Sequence, residues 1–375
     1  MRIVIDARHA RDFGIGTYIR GLLQGLAEVD TANRYVIVLP PGEEAQLPKL
    51  PGNFETVSYS GTDLDYIDHL AFPAFLRRLK PDLCHITLNR VPWFMPRPYV
   101  VTVHDMSRQL LAGTGWRTQA SLYRARRGLV RARRVISVSQ ATLRSVQSAL
   151  DVPVGHFRVV PNAPDPRFLQ RPPDADQERL RQLERFQINY PFVLYAGHIR
   201  PQKNVPRLIE AFAVLRTELA DDPRYRDLRL VILGADINQH PEVRRAATQS
   251  RQASAIRFLG FVPFETLRAF YESAEVFAFP SLYEGFGLAP LEAMACGTPV
   301  VASNCSSLPE VVGDAAVQVN PDNVFDIARG LREVLQDDAL RRRLVESGTR
   351  QAARFSWPRT ASAVLEVYRE AVGSL

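Results

Sequence analysis

Two carboxylates and two glycines in residues 279–295 are the side chains whose types and spacing best fit chemistry. The run is Phe-Pro-Ser-Leu-Tyr-Glu-Gly-Phe-Gly-Leu-Ala-Pro-Leu-Glu-Ala-Met-Ala, in which Glu284 and Glu292 bracket Gly285 and Gly287. Glycines let backbone N–H groups approach a ligand closely. Pro290 suits the first turn of a helix, where a missing N–H costs nothing. The orphan N–H groups and dipole of a helix start favour a phosphate, and ionised carboxylates accept strong hydrogen bonds from hydroxyls. Glu292 is expected in the first helical turn and Glu284 in the loop before it. One turn then offers anion donors around Phe286 and Leu288 together with two hydroxyl acceptors, which is what a phosphate joined to sugars requires.

Three other stretches carry comparable chemistry. Tyr195-Ala196-Gly197-His198-Ile199-Arg200-Pro201-Gln202-Lys203-Asn204 joins a strand to a helix through a glycine turn with two cations. Bidentate Arg200 and point-charge Lys203 suit a diphosphate and stabilise negative charge on a leaving group. Lys203 is one of three lysines among 47 basic residues, so a lysine at this position is a specific choice. Val100-Val101-Thr102-Val103-His104-Asp105 sets His104 at the carboxyl end of a strand, where α/β ligands bind. A neutral imidazole there can orient a hydroxyl, with Asp105 as its orienting partner. Gly14-Ile15-Gly16-Thr17 opens a helix after the first strand, a phosphate-type loop with Gly16 as its candidate. It is a poor dinucleotide fingerprint, since a third glycine is missing.

The elements that hold these residues alternate. Strands are expected at 2–6, 35–39, 83–86, 99–104, 135–138 and 158–160, with helices at 18–28, 66–79 and 116–131 between some of them. Proline-rich breaks follow at 161–166 and 171–174. A second round of strands is expected at 192–196, 228–233, 256–259, 276–279, 299–302 and 316–319. Its helices are expected at 205–219, 264–275, 290–295 and 325–335, and an amphipathic segment closes the chain at 357–372. The pattern predicts an α/β protein of two doubly wound, Rossmann-like domains with a cleft between them. The divisions are residues 1–168, a linker at 169–190, and residues 191–355. Ser139 is expected to cap a helix, and Asn162 either lines a cleft or serves a turn.

Composition narrows the classes. The chain has 375 residues, 46% hydrophobic and 23% charged, values of a globular protein long enough for two cores. No run of 18 apolar residues points to a membrane span, and no leader is expected ahead of the first strand. Cys84, Cys296 and Cys305 lack metal-ligand spacing, so neither zinc nor another metal is expected, and reduced thiols suggest a cytoplasmic protein. Between residues 106 and 150 there are nine arginines and no acids, against a net charge of +7 for the whole chain. Arg117, Arg124, Arg127, Arg131 and Arg134 share one angular sector at 100° per residue. That stripe fits an anionic membrane at which the protein is peripheral, an anionic acceptor, or a solvated outer face. No recognition motif accompanies it, so nucleic acid is not expected.

The glutamate stretch, with seven residues between Glu284 and Glu292, resembles the signature of family 4 retaining glycosyltransferases. The resemblance extends in order through Gly16, the His104-Asp105 pair, Ser137–Gln140, Val160–Ala163 and Gly197…Lys203, nearly the whole chain. It implies the GT-B fold, with residues 356–375 as a helix crossing back to the first domain. It implies that Glu292 holds the ribose hydroxyls of a nucleotide diphosphate sugar and Glu284 the transferred sugar. Gly197, Arg200, Lys203 and the backbone of Gly285, Phe286, Gly287 and Leu288 would hold the diphosphate, and His104 would lie near the sugar 6-hydroxyl. Family members often place arginine directly after the glycine; here His198 stands there and Arg200 comes two later. The resemblance is greatest to bacterial mannosyltransferases of polysaccharide assembly. It implies a GDP-mannose donor, a saccharide or lipid-linked acceptor, and no cofactor or metal. UDP-sugar-dependent glucosyl or N-acetylglucosaminyl transfer, a GT-B epimerase and a non-catalytic sugar-nucleotide binder are the alternatives.

Overall fold

The computed structural model describes residues 1–12, 14–62, 67–107, 115–235 and 239–373. Thirteen strands run in chain order: β1 Arg2–Asp6, β2 Arg34–Leu39, β3 Phe54–Ser58, β4 Leu83–Ile86, β5 Tyr99–Val103, β6 Arg134–Ser137, β7 Phe157–Val159, β8 Phe192–Ala196, β9 Arg229–Leu233, β10 Ile256–Gly260, β11 Val276–Phe279, β12 Val300–Ser303 and β13 Val317–Val319. The described helices are α1 Ile15–Val29, α2 Asp68–Arg78, α3 Trp116–Arg131, α4 Gln140–Leu150, α5 Pro166–Leu169, α6 Ala175–Arg185, α7 Val205–Glu218, α8 Pro241–Gln249, α9 Phe264–Ser273, α10 Leu288–Ala295, α11 Leu308–Val312, α12 Val324–Gln336, α13 Asp338–Ala352 and α14 Trp357–Gly373.

These elements divide into two compact units, one of Met1–Ala163 with Phe355–Leu375, the other of Pro164–Arg354. Each holds one parallel sheet. The first unit's order is β3-β2-β1-β4-β5-β6-β7 and the second's is β10-β9-β8-β11-β12-β13. Every strand pair in both is parallel. Strand order therefore reverses once in each unit, between β1 and β4 and between β8 and β11. At such a point adjacent loops diverge and leave a crevice at the carboxyl edge of the sheet.

Side-chain alternation explains why the strands are apolar on both faces. In the first unit Ile3, Ile5, Tyr35 and Ile37 pack with α1 and α14, whereas Val4, Val36, Val38 and Cys84 pack with α2 and α3. Helices on both sides leave no solvated face, the condition that parallel sheets require. The α14 helix seats Trp357, 2% exposed, against α1. A Cβ on Gly21 would lie 2.0 Å from Trp357 Cε2, and one on Gly25 would lie 2.3 Å from the Trp357 carbonyl oxygen. Two glycines one helical turn apart thus make the groove that the indole fills.

Several expectations are corrected. Residues 169–190, expected as a linker, hold α6, which packs on α9; Thr266 Oγ1 donates to Gln182 Oε1 at 2.9 Å, and both residues are buried. Strand β3 and helices α5, α8, α11 and α13 had no counterpart in the sequence pattern. The helix expected at 66–79 begins at Asp68, and Tyr66 lies outside the described residues. The α10 helix starts at Leu288, so Pro290 is its third residue and Glu292 falls in the second turn, not the first. The arginine stripe is not one helix face. Arg134 begins β6 and its Nε donates to Glu370 of α14 at 2.8 Å. Arg127 Nη1 donates to the Trp93 carbonyl at 2.9 Å, and the Arg117 side chain lies outside the described set. Ser139 caps α4 as expected, accepting from Thr142 N at 3.0 Å.

The Trp357 groove yields a stability test. Helix propensity alone would favour Gly21→Ala by about 1 kcal/mol. The overlap with a buried indole outweighs that, so the variant should lose about 1–3 kcal/mol net. Gly52→Ala, where a Cβ meets nothing within 4 Å, should stay within about 0.5 kcal/mol. Urea denaturation followed by tryptophan fluorescence checks both; equal midpoints for the two variants would contradict the packing account.

Candidate active site

In the second unit the reversal between β8 and β11 brings together the loops that follow them. Three contacts tie these loops. The Leu282 N–H donates to the Gln202 carbonyl at 2.8 Å. Asn204, in left-handed backbone at φ 60°, donates its side-chain amide to the Pro280 carbonyl at 3.1 Å and the Pro321 carbonyl at 2.7 Å. Lys203 Nζ donates to both carboxylate oxygens of Glu284, at 2.6 and 2.8 Å. The Lys203 and Glu284 side chains are 18% and 11% exposed, so this pair is held in a partly desolvated setting where charge interactions strengthen. The ammonium also lies 5.1 Å from the centroid of the Phe279 ring. An ammonium has three N–H donors. Two serve Glu284, and the third has no bond among the described residues.

Three serines, one at the end of β12 and two beyond it, fix the loop that carries Glu284. Ser306 Oγ accepts from the Glu284 N–H at 3.0 Å and donates to the Glu284 carbonyl at 2.6 Å. Ser307 Oγ reaches the carbonyls of Glu284 at 3.0 Å and Phe286 at 2.7 Å. Ser303 Oγ donates to the Ser281 carbonyl at 2.5 Å. The Phe286 ring is buried, 6% exposed, and its carbonyl is occupied by Ser307. What this stretch offers a ligand is therefore backbone N–H rather than side chain. The α10 helix begins at Gly287 with φ 111°, where a Cβ would also lie 2.6 Å from Leu308 Cδ2. No side chain caps that start and no acid sits in its first turn. An uncapped helix start keeps its donors and its positive dipole end for an anion.

Glu292 sits on α10, where Tyr271 Oη donates to Oε2 at 3.3 Å. Burial holds its carboxyl well above the usual range, at about 7, with the Asp165 charge adding to the effect and the Tyr271 bond opposing it. The Tyr271 phenol is itself pushed far up, first by burial and then by Glu292, so it remains a donor. Gly197 follows β8 and its N–H donates to the Leu233 carbonyl at 3.0 Å. Arg200 begins the turn that ends at Lys203; it is exposed and its guanidinium has no partner among the described residues.

The other two sequence candidates lie in the first unit. Gly16 is in the first turn of α1, where a Cβ would come 2.5 Å from the Ala10 carbonyl oxygen. The close return of the preceding loop thus explains the glycine. His104 follows β5, and its Nε2 lies 3.0 Å from the Thr87 carbonyl. Burial lowers its pKa to about 4 despite the raising influence of Thr87 and Asp105, so the ring is neutral near pH 7. A carbonyl only accepts, which puts the proton on Nε2 and leaves Nδ1 as an acceptor. Asp105 is not the orienting partner that the sequence suggested. Its Oδ1 accepts from Ser107 N at 2.8 Å and Ser107 Oγ at 2.7 Å, and Thr87 orients the ring instead.

A buried polar chain backs the His104 ring. Tyr18 stands edge-on to the imidazole at 4.6 Å between centroids. Tyr18 Oη lies 2.9 Å from Thr102 Oγ1, which lies 2.7 Å from His85 Nε2, and His85 Nδ1 lies 2.7 Å from Tyr368 Oη. All four residues are buried. Unpaired polar groups at this depth are costly, so the chain locks α1, β4, β5 and α14 to one geometry. Sequence reasoning missed Tyr18, Thr87, Thr102, His85, Tyr271, Ser306 and Ser307. The serine pair after a strand was a readable signal for loop anchoring; the others become neighbours only in the fold.

Comparison with known proteins follows the same division. Residues 14–168 match the family model described as Glycosyltransferase Family 4, and residues 176–351 match Glycosyl transferases group 1. The O-antigen chain mannosyltransferase B of Escherichia coli is 37% identical over 198 residues, 52% of this chain and 51% of that protein. A D-inositol 3-phosphate glycosyltransferase of Salinispora arenicola is 31% identical over 292 residues, 74% of this chain and 64% of that protein. The chain thus spans about half the length of the first relative and just under two thirds of the second. Anabaena Alr3699/HepE, solved in complex with UDP and glucose, superposes with a TM-score of 0.78 at 18% identity, covering 100% of both chains. The fold is GT-B. The two family matches take in residues 14–351 apart from 169–175, and the chain carries a family 4 glycosyltransferase domain followed by a group 1 glycosyl transferase domain.

Proposed function

We propose that the chain transfers a hexose, mannose by preference, from a nucleotide diphosphate sugar to a hydroxyl of a saccharide or lipid-linked acceptor in polysaccharide or glycolipid assembly. The observation that carries this reading is the Lys203–Glu284 pair beside the uncapped start of α10. The third Lys203 N–H, Arg200 and the α10 backbone donors meet the two phosphates. Glu284 keeps lone pairs for a sugar hydroxyl while bound to Lys203. Glu292 takes the ribose hydroxyls, and the bare Nδ1 of His104 accepts from the sugar 6-hydroxyl. Because cations and helix dipole supply the positive charge, we place no metal or cofactor in the reaction.

In the retaining course that this arrangement suits, the bond from the anomeric carbon to the β-phosphate oxygen breaks, and its electron pair stays on the diphosphate. The acceptor oxygen bonds to the same carbon from the same face, and its proton passes to the departing phosphate oxygen. Lys203 and Arg200 stabilise the charge that develops there. No second carboxylate is needed on the opposite face, unlike the paired-carboxylate hydrolases. Support for mannose comes from the O-antigen chain mannosyltransferase. A UDP-sugar donor is the second reading, favoured by UDP and glucose in the Anabaena complex.

A melting-point panel decides the donor. A ligand that binds only the folded state stabilises it by about 2.7 kcal/mol at a hundred times its Kd. GDP-mannose should give the largest shift. A shift confined to UDP-sugars would overturn the mannose assignment, and none with any GDP-, UDP-, ADP- or dTDP-sugar would overturn the donor site.

Lys203→Ala should lower kcat by about a hundredfold, the scale for losing one preorganised donor, with a smaller change in donor affinity. Steady-state rates that match the parent would remove Lys203 from the mechanism.

Glu292 gives a pH prediction. Its ionised form accepts both ribose hydroxyls, so binding favours loss of the proton and affinity rises with pH. With a carboxyl at about 7, GDP-mannose should bind about tenfold more tightly at pH 8 than at pH 6, and the donor's own diphosphate does not titrate in that window. Calorimetry should show this slope in the parent and its loss in Glu292→Gln; a slope that persists in the variant would assign it to another group.

A further inference from the structure

The α3 helix buries one apolar face and shows another to water. Ala125, Leu129 and Ala132 are 5%, 0% and 3% exposed and face the sheet. On the opposite side Trp116, Tyr123 and Val130 are 76%, 60% and 36% exposed. Their spacing of seven residues lines them along one ridge of the helix, about 21 Å long. Gln119, Ala120, Arg126 and Arg131 are the exposed residues around that ridge. An ordinary outer helix face is polar.

Two neighbouring segments extend the ridge. The Arg127 guanidinium lies 4.7 Å over the Trp93 ring while bonding the Trp93 carbonyl, which fixes the 93–94 turn beside α3. His69 of α2 approaches Trp93 at 6.2 Å between ring centroids, and Arg77 donates to the Phe94 carbonyl at 2.6 Å. Phe94 is 50% exposed, Leu70 62% and Ile67 77%. Apolar side chains from three contiguous segments therefore stand in water on one unit. Among the described residues the charge around them is mainly positive. Residues 106–150 carry nine arginines and no acid. Asp151, 97% exposed, makes only a 3.4 Å contact with Arg126, and Asp68 is buried in its pair with Arg8.

We propose that Trp116, Tyr123, Val130, Phe94, Leu70 and Ile67, rimmed by Arg126 and Arg131, form a docking surface for an anionic lipid bilayer. Tryptophan and tyrosine favour the boundary between headgroup and acyl chain, and arginines over an anionic leaflet add attraction. Two other occupants fit less well. A second copy would bring the same mainly basic patch against itself in an isologous contact, and the acid at its rim, Asp151, already faces Arg126 of its own chain. Single-stranded nucleic acid stacks on aromatics, but Ile67, Leu70 and Val130 offer it neither a flat face nor a charge. The surface does not depend on the donor or on the reaction, so its test stands apart from the transferase assignment.

The experiment is flotation of the full chain with vesicles of phosphatidylglycerol and phosphatidylcholine, against phosphatidylcholine alone. The chain should float with the anionic vesicles, less so at 0.5 M than at 0.1 M salt by charge screening, and its tryptophan emission should shift to the blue. Trp116→Ser with Tyr123→Ser should weaken flotation by about tenfold or more while leaving the melting point and GDP-mannose binding unchanged, since both side chains are exposed. Arg126→Glu with Arg131→Glu should weaken it in a salt-dependent way. Absence of flotation, or flotation indifferent to both double variants, would overturn the proposal. So would self-association in light scattering, or binding of a single-stranded oligonucleotide, abolished by the same aromatic variant while vesicle binding is not.

Discussion

In an all-parallel sheet every strand leaves from the same edge, and where strand order reverses the connections depart in opposite directions. In the second unit this happens between β8 and β11. The chain leaves β8 toward α7 and β9, and leaves β11 toward α10 and β12. Loops that diverge in this way need a tie across the crevice that opens between them. Lys203–Glu284, Asn204 to the Pro280 carbonyl and Leu282 to the Gln202 carbonyl provide it. The position of the groups proposed to meet the diphosphate in that unit follows from these ties, because the start of α10 hangs on the same loop that carries Glu284.

The electrostatics of the site are asymmetric in a useful way. Lys203 is already neutralised by Glu284, so an empty site carries no bare buried cation, a state that would be costly. Glu292 is treated differently: burial and Asp165 press it toward its neutral form. A ligand that offers hydroxyls there must meet a carboxylate that the protein alone holds only partly charged near pH 7. His104 is pressed in the neutral direction too. Burial suppresses charge at two of the proposed contacts, while the diphosphate end retains strong cations. In the proposed function, charge complementarity is thereby concentrated on the diphosphate.

Much of this was legible in the sequence because the relevant signals are local. Glycine, proline and glutamate spacing located the β11–α10 turn, and apolar runs located twelve of the thirteen strands. The β3 strand was missed because it lies at the sheet edge and reads Phe-Glu-Thr-Val-Ser, with three exposed residues among five. Proline content suggested a linker at 169–190, yet Gln182 and the apolar positions of α6 had a partner in α9 that only tertiary structure supplies. Angular periodicity carried the arginine stripe past the helix end to Arg134, since 100° per residue has no meaning once the chain becomes a strand. Thr87, which orients His104, sits on the neighbouring connection with no sequence mark to link the two. The start of α10 was set two residues late because Pro290 was taken for the first helical residue, when the left-handed Gly287 already begins the turn.

The Trp357 groove has a consequence for how the chain is made. Unit one is closed by a helix that lies 191 residues beyond its other elements, counting the intervening Pro164–Arg354. During synthesis the groove over Gly21 and Gly25 and the imidazole of His85 emerge long before Trp357 and the Tyr368 hydroxyl that pairs with its Nδ1. The first Rossmann sheet must therefore wait with an open apolar seam while the entire second unit leaves the ribosome. A nascent chain halted before α14 would present that seam to chaperones. Closure of the first unit is thus deferred until α14 has been made, after the whole of the second unit.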